Sequence, residues 1–184
     1  MGVSGIALAA GNLLLARGLP PEEFARFTLL FAIAMIGISV GPVGADVILT
    51  RREFAPTHAL HGQVLLTCAA VGLVLSWIAG VCYPLPPPLL IALTVLTVFG
   101  GLLTIAVAHY RSQQRFGTAM LLTLSINLAV LLAAIVTLLV TSPDAGLPAF
   151  VMAGCVAATS LFGWRAVTAG AAAAGARPYP WGEG

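Results

Sequence analysis

The 184-residue chain contains no lysine and little charge of any kind: eight arginines and six acids make up only 8% of it. The missing lysine excludes two kinds of chemistry. A phosphate-binding P-loop needs a lysine on its phosphates, and Schiff-base catalysis needs a lysine amine. ATP hydrolysis of that type is therefore excluded, and any work the protein performs must draw its energy elsewhere. The scarcity of charge excludes more. A soluble domain of this length carries about a quarter charged residues to face water, whereas 60% of this chain is hydrophobic and its mean hydropathy is +1.05. Lipid must solvate most of it, which predicts an all-α polytopic membrane protein. Cysteine is sparse as well. Cys68, Cys82 and Cys155 are odd in number, lie in or beside apolar runs and form no CxxC spacing, so they read as small buried hydrophobes rather than disulfides or metal ligands.

What is present is a series of apolar runs. Charges, prolines and turn residues divide the chain into six, at 2–16, 24–49, 59–83, 89–110, 118–141 and 147–169, each judged against the about 20 residues that span a bilayer. Five are long enough. The first is short and lacks the charged start and cleavage site of a signal peptide, so it reads as a transmembrane helix that has lost its beginning. The expected architecture is a bundle of six transmembrane helices with a short tail over 170–184. Leu19-Pro20-Pro21-Glu22-Glu23 is the clearest helix start, since proline suits the first turn and the two acids complement the positive end of the helix dipole.

The arginines orient the bundle. Arg51, Arg52, Arg111, Arg115, Arg165 and Arg177 fall on one side of it, and only Arg17 and Arg26 on the other. The positive-inside rule makes the first side cytoplasmic, together with both termini.

Few polar residues lie at membrane depth. Asp46 stands roughly 7 to 8 Å along a helix from Arg51, so it has to pair, reach the interface or face an aqueous cavity. Arg51 and Arg52 read either as a topology anchor or as a substrate or gating pair. Arg111 and Arg115, four apart, share a helix face and suit lipid phosphate or simple anchoring. Asn12 and Asn127 need hydrogen-bond partners within the bundle or line a polar cavity, with Arg17 on the same helix as Asn12. Gly37, Gly41 and Gly44 form a small-residue stripe for close helix approach, and Pro42 invites a kink. His58 and His61, with Glu53 nearby, lack a third ligand of convincing spacing, so no metal site is expected. The Gly2-Val3-Ser4-Gly5 string matches the nucleophile motif of rhomboid-type intramembrane proteases but lies at the wrong end of the chain for it. With no paired carboxylates or nucleophile and base in the spans, neither an enzyme nor a cofactor is expected.

Three strings together carry a family resemblance. ARGLPPEEF over 16–24, GPVGADVILTRREFA over 41–55 and HYRSQQRFG over 109–117 resemble, in order and spacing, segments of the N-terminal lobe of bacterial polysaccharide flippases. These belong to the multidrug/oligosaccharidyl-lipid/polysaccharide exporter superfamily. Family members have two six-helix lobes, and this chain resembles one. It departs from the family pattern at Gly41-Pro42, where members carry Gly-Leu, and at Ala25, where they often carry glycine.

The resemblance implies a protein of the bacterial cytoplasmic membrane that moves a polyprenyl-diphosphate-linked glycan by alternating access, as in lipopolysaccharide and other cell-envelope polysaccharide biosynthesis. It further implies membrane lipid and a second six-helix lobe as partners, the latter either a homodimer mate or a separate chain, and no nucleic acid. Substrate-binding or gating candidates are then Arg51, Arg52, Asp46, Arg17 and Asn12. The competing expectation is a membrane scaffold or remnant lobe that keeps the fold without transport.

Overall fold

The structure, a computed structural model, describes residues 2–51, 58–140 and 144–174. These form seven helices: α1 (Gly2–Gly18), α2 (Pro21–Val40), α3 (Ala45–Arg51), α4 (His58–Cys82), α5 (Pro87–Ser112), α6 (Phe116–Val140) and α7 (Gly146–Ala174). Five of them, α2 and α4 to α7, are long and apolar enough to cross a membrane, and α1 is a shorter apolar helix.

Proline and short turns set the boundaries. Pro20 and Pro86 are extended and precede helices whose first residue is also proline, where the missing N–H costs nothing. Between α5 and α6 the chain reverses through Gln114 at φ 59°, and the Arg115 N–H donates to the Tyr110 carbonyl at 2.9 Å. That bond satisfies a carbonyl the helix end would otherwise orphan. At the start of α7 the Ala145 N–H donates to Glu23 Oε2 at 3.0 Å, tying the beginnings of α2 and α7 together. Glu23 also accepts from Arg26.

The run expected as one span over 24–49 is two helices. Pro42 has no N–H to give Ile38 and its ring crowds that carbonyl, so α2 ends at Val40. The chain then turns through Val43 at φ 51° and Gly44 at φ 77°. Short-range bonds from Val43 N–H to Val40 O and from Ala45 N–H to Pro42 O, both 3.0 Å, carry it into α3.

The bundle is organised around α5, which packs against α2, α3, α4, α6 and α7 and is the most buried of the long helices. Small residues allow the close approach. Gly101 of α5 faces Cys68 of α4 and Pro42, while Gly100 faces Ile38 of α2. In lipid this kind of packing, rather than withdrawal from water, holds helices together. On α1, Gly11 sits against Leu131 and Gly18 against Leu138, so α1 runs parallel to α6 with contacts seven residues apart on both helices. The outer surface is correspondingly apolar. Leu66, Leu73, Trp77 and Val81 run along one face of α4 with 62–71% of their surface exposed. An all-α bundle with such helices and such an exterior is a multi-pass membrane protein.

Gly37 and Gly41 are taken up inside this packing. A side chain at Gly37 would meet Thr97 of α5 and Leu75 of α4, and one at Gly41 would meet Cys68. Neither is available as a contact between copies of the chain. Gly44 does not belong to a packing stripe at all, because nothing lies within 4 Å of its missing Cβ; its left-handed backbone serves the turn.

Candidate functional site

The break in the second span falls at mid-depth. Pro42 lies against Gly101, the fifteenth of the 26 residues of α5, so the chain leaves helical geometry level with the centre of the bundle. Below the break α3 runs toward one end, docked on α5. Ala45 and Leu49 are buried in a cluster with Leu60, Leu102, Ile105, Ala108 and Trp164.

That end gathers cations. It holds the C-terminus of α3 with Arg51, the start of α4, the end of α5 with Arg111 and the Arg115 turn. Arg165 of α7 adjoins Trp164, whose ring stacks on His61 of α4 at a centroid distance of 4.0 Å. Arg115 also reaches the Tyr110 ring, 5.9 Å from its centroid. The opposite end carries Arg17, Arg26, Glu23 and Asp144.

A pocket of about 190 Å³ opens between α3, α5 and α6 on the arginine-rich half. Its polar lining is Asp46, Thr104, Arg111 and Thr123, and its apolar lining is Leu103, Val107, Ala108 and Ile126. The turn at Val43 and Gly44 is what places Asp46 here. The face of α5 supplies Thr104, Val107, Ala108 and Arg111 at helical spacing. Thr104 Oγ1 donates to Gly100 O at 3.0 Å, and Thr123 Oγ1 donates to Ala119 O at 2.9 Å. Asp46 is half-buried and lines this pocket, one of the ways an ionisable group at this depth is accommodated.

The site residues expected from the sequence are thus divided by the fold. Asp46 meets Arg111 at one pocket. Arg17 precedes Gly18, which packs on Leu138, and Leu138 lies fifteen residues along α6 from Thr123, roughly 22 Å away at the helical rise. No single small ligand spans that separation. Asn12 is half-buried on α1 beside Gly11, at the level of Leu131, also away from the pocket. Arg51 closes α3 with its side chain outside the described residues, and Arg52 and the Glu53 considered with it lie outside them altogether. Of the histidine pair, His61 is engaged in the aromatic stack, and the side chain of His58 is outside the described residues.

Sequence reasoning missed Thr104 and Thr123, and read Arg111 as an anchor or lipid-phosphate contact rather than as a partner of Asp46. Thr104 lies seven residues before Arg111 and therefore on its face, which was the one available signal. Thr123 carried none.

A second, apolar groove of about 400 Å³ runs between α6 and α7 past Leu128, Leu132, Ile135 and Cys155. Among the described residues its lining has no charged group, and its position on the lipid-facing surface suits hydrocarbon. Elsewhere, Ser76 of α4 lies 2.8 Å from Thr94 Oγ1 of α5, and both hydroxyls reach Leu90 O. This is a packing link between two helices. Comparison with known proteins finds no matching family model, no matching curated protein and no matching solved structure.

Proposed function

We propose that the chain is one lobe of a membrane transporter that carries a polyprenyl-diphosphate-linked glycan across a bacterial cytoplasmic membrane by alternating access, with no bond made or broken. The observation that carries this reading is the broken second span. Discontinuous helices at mid-membrane depth are a recurrent feature of transporters, whose substrate sites lie beside them, and here the break stands directly over a pocket with charged residues in its lining. The arginine-rich end is the cytoplasmic end on the positive-inside rule. Arginine suits a diphosphate there, because a planar guanidinium bonds two oxygens of a phosphate at once. The resemblance of the three sequence strings to polysaccharide flippases supplies the substrate class. A single lobe forms one wall of a transport path, so a second lobe, either another copy or a separate chain, completes it.

Joint replacement of Arg51 and Arg52 by lysine tests the reading. Lysine preserves the positive-inside signal but not bidentate phosphate binding. In a flippase-deficient strain, with a second lobe supplied, the wild-type chain should restore glycan export. The lysine variant should insert in the same orientation and fail to restore it. Full restoration by the lysine variant would reduce the two arginines to anchors, and no restoration by the wild-type chain would leave a scaffold.

A further inference from the structure

The pocket between α3, α5 and α6 has a pattern of donors and acceptors that its packing does not require. The hydroxyls of Thr104 and Thr123 have each committed their one proton to a carbonyl of their own helix, so both can offer the pocket only lone pairs. An ionised Asp46 is likewise acceptor-only. It also engages another group, and a carboxylate has about four acceptor sites.

The two threonines share one depth. Ala106 of α5 and Leu122 of α6 both flank Gly163 of α7, which sets Thr104 and Thr123 within about one residue rise of each other across antiparallel helices. Arg111 begins about 10 Å nearer the arginine-rich end and contributes five N–H donors and no acceptor.

Among the described residues the lining carries one carboxylate and one guanidinium. A bare anion would be drawn by Arg111 and repelled by Asp46, and a bare cation the reverse. A ligand carrying both charges is complementary to both. Three acceptors lining one pocket match the three N–H donors of a primary ammonium, and the guanidinium matches a phosphate.

We infer that this pocket binds a zwitterion with a primary ammonium and a phosphate, the group found in phosphoethanolamine, with the ammonium among Asp46, Thr104 and Thr123 and the phosphate on Arg111. The same group occurs as a lipid headgroup and as a soluble ester. The assignment stands independently of the transport reading, since a bound headgroup is readable whether or not the chain moves a glycan.

The test is retention and protection of the purified full chain in detergent micelles, followed by native mass spectrometry and thermal unfolding. Micelles are doped in turn with phosphatidylethanolamine, phosphatidylcholine or phosphatidylglycerol. Phosphatidylethanolamine should be retained and should raise the melting temperature. Phosphatidylcholine, whose ammonium has no N–H, and phosphatidylglycerol, which has no ammonium, should do neither. Asp46→Asn and Arg111→Gln should each weaken retention tenfold or more. Thr104→Val, nearly isosteric and charge-neutral, should weaken it several-fold and keeps the proposal testable where a charge variant fails to fold.

Protection by soluble O-phosphoethanolamine without lipid, and not by ethanolamine or inorganic phosphate alone, would support the assignment with a soluble ligand as its source. Protection by the lipid alone would support it with the headgroup as source. Equal retention of all three lipids, retention unchanged by Thr104→Val, or the same protection from sodium chloride alone would overturn it. So would charge variants that melt lower with no headgroup preference in the wild type, because Asp46 and Arg111 would then merely neutralise each other.

Discussion

Replacing Gly37 with alanine tests where α2 is seated. A Cβ built at Gly37 falls 2.8 Å from both Oγ1 and Cγ2 of Thr97 and 2.9 Å from Cδ1 of Leu75. Leu75 is flexible and can turn away. Thr97 cannot do so cheaply: it is fully buried, β-branched and stiff at χ1, and its hydroxyl donates to Leu93 O at 2.9 Å. Overpacking of this kind costs about 1–3 kcal/mol. The exchange also gains helix propensity, up to about 1 kcal/mol for glycine to alanine. The expected net loss is on the order of 1 kcal/mol, or about 2–4 °C in melting temperature for a chain of this length.

Thermal unfolding in detergent measures that loss, and two companions isolate its cause. Gly62→Ala adds a Cβ with nothing within 4 Å, so it should be neutral or slightly stabilising. Thr97→Ser removes the crowding methyl, and the double variant should recover at least about 0.5 kcal/mol relative to additivity. If Gly37→Ala melts with the wild type and couples to nothing at Thr97, α2 is not seated against α5 as described. If it instead changes oligomeric state with the melting temperature unchanged, the glycine lies on an outer contact face and the packing argument fails.

Three further outcomes are expected. A cysteine introduced at Pro87 or Asp144 should react with a membrane-impermeant reagent from outside intact cells and one at Gln113 should not; labelling at Gln113 would invert the orientation taken from the arginines. Val43→Gly relieves a β-branched residue from φ 51° and should raise stability by about 1 kcal/mol in chemical unfolding, whereas a loss would mean the turn depends on the valine side chain. Glu23→Ala should cost about 1–2 kcal/mol, more than Arg26→Ala, because Glu23 also holds the Ala145 N–H while the pair with the half-exposed Arg26 is worth little; equal losses would assign the whole effect to the ion pair.

The helices were legible in the sequence where proline or charge interrupts hydropathy. The run expected over 89–110 is α5 at Pro87–Ser112, and the one over 59–83 is α4 at His58–Cys82, because YPLPPP and the arginines stop apolar runs sharply. The break after Val40 was not legible as a break. Hydropathy continues through Val43, Val47 and Leu49, and Pro42 by itself announces a kink in one helix rather than its end. What turns the interruption at Pro42 into a full break is the pair of positive φ angles that follows it, one of them on valine, a residue that disfavours such a conformation. Asp46 is visible in the sequence as a charge at membrane depth, and Arg111 only as one of two interfacial arginines suited to lipid phosphate or anchoring. Their convergence is not visible there, since it depends on the direction α3 takes out of that turn. Arg17 was placed among the same candidates because the sequence shows which residues are charged but not that α1 lies along α6 with its arginine at the far end.

The inside of this bundle inverts the logic of a soluble core, and that inversion explains the site. Large apolar side chains such as Trp77, Leu139 and Phe162 face outward, where lipid solvates them as well as protein would. The contacts of α5 instead use Gly100, Gly101, Ala92, Ala106 and Ala108, which let neighbouring backbones come close. A discontinuous segment can rest at mid-depth only if its freed backbone groups are covered by protein or line a cavity. Gly101 and Cys68 cover the turn on one side, and Ala108 on α5 lies in the cluster that receives Ala45 and Leu49. On the other side of α3 the packing stops short and leaves the pocket. The small residues that let α3 dock thus also leave Asp46 and Arg111 in one cavity, so enlarging Ala108 should displace α3 and dismantle the pocket together. Ala108→Leu is therefore expected to lower thermal stability and abolish headgroup retention in the same variant, and a chain that keeps either property without the other would show that docking of α3 and formation of the pocket are separate events.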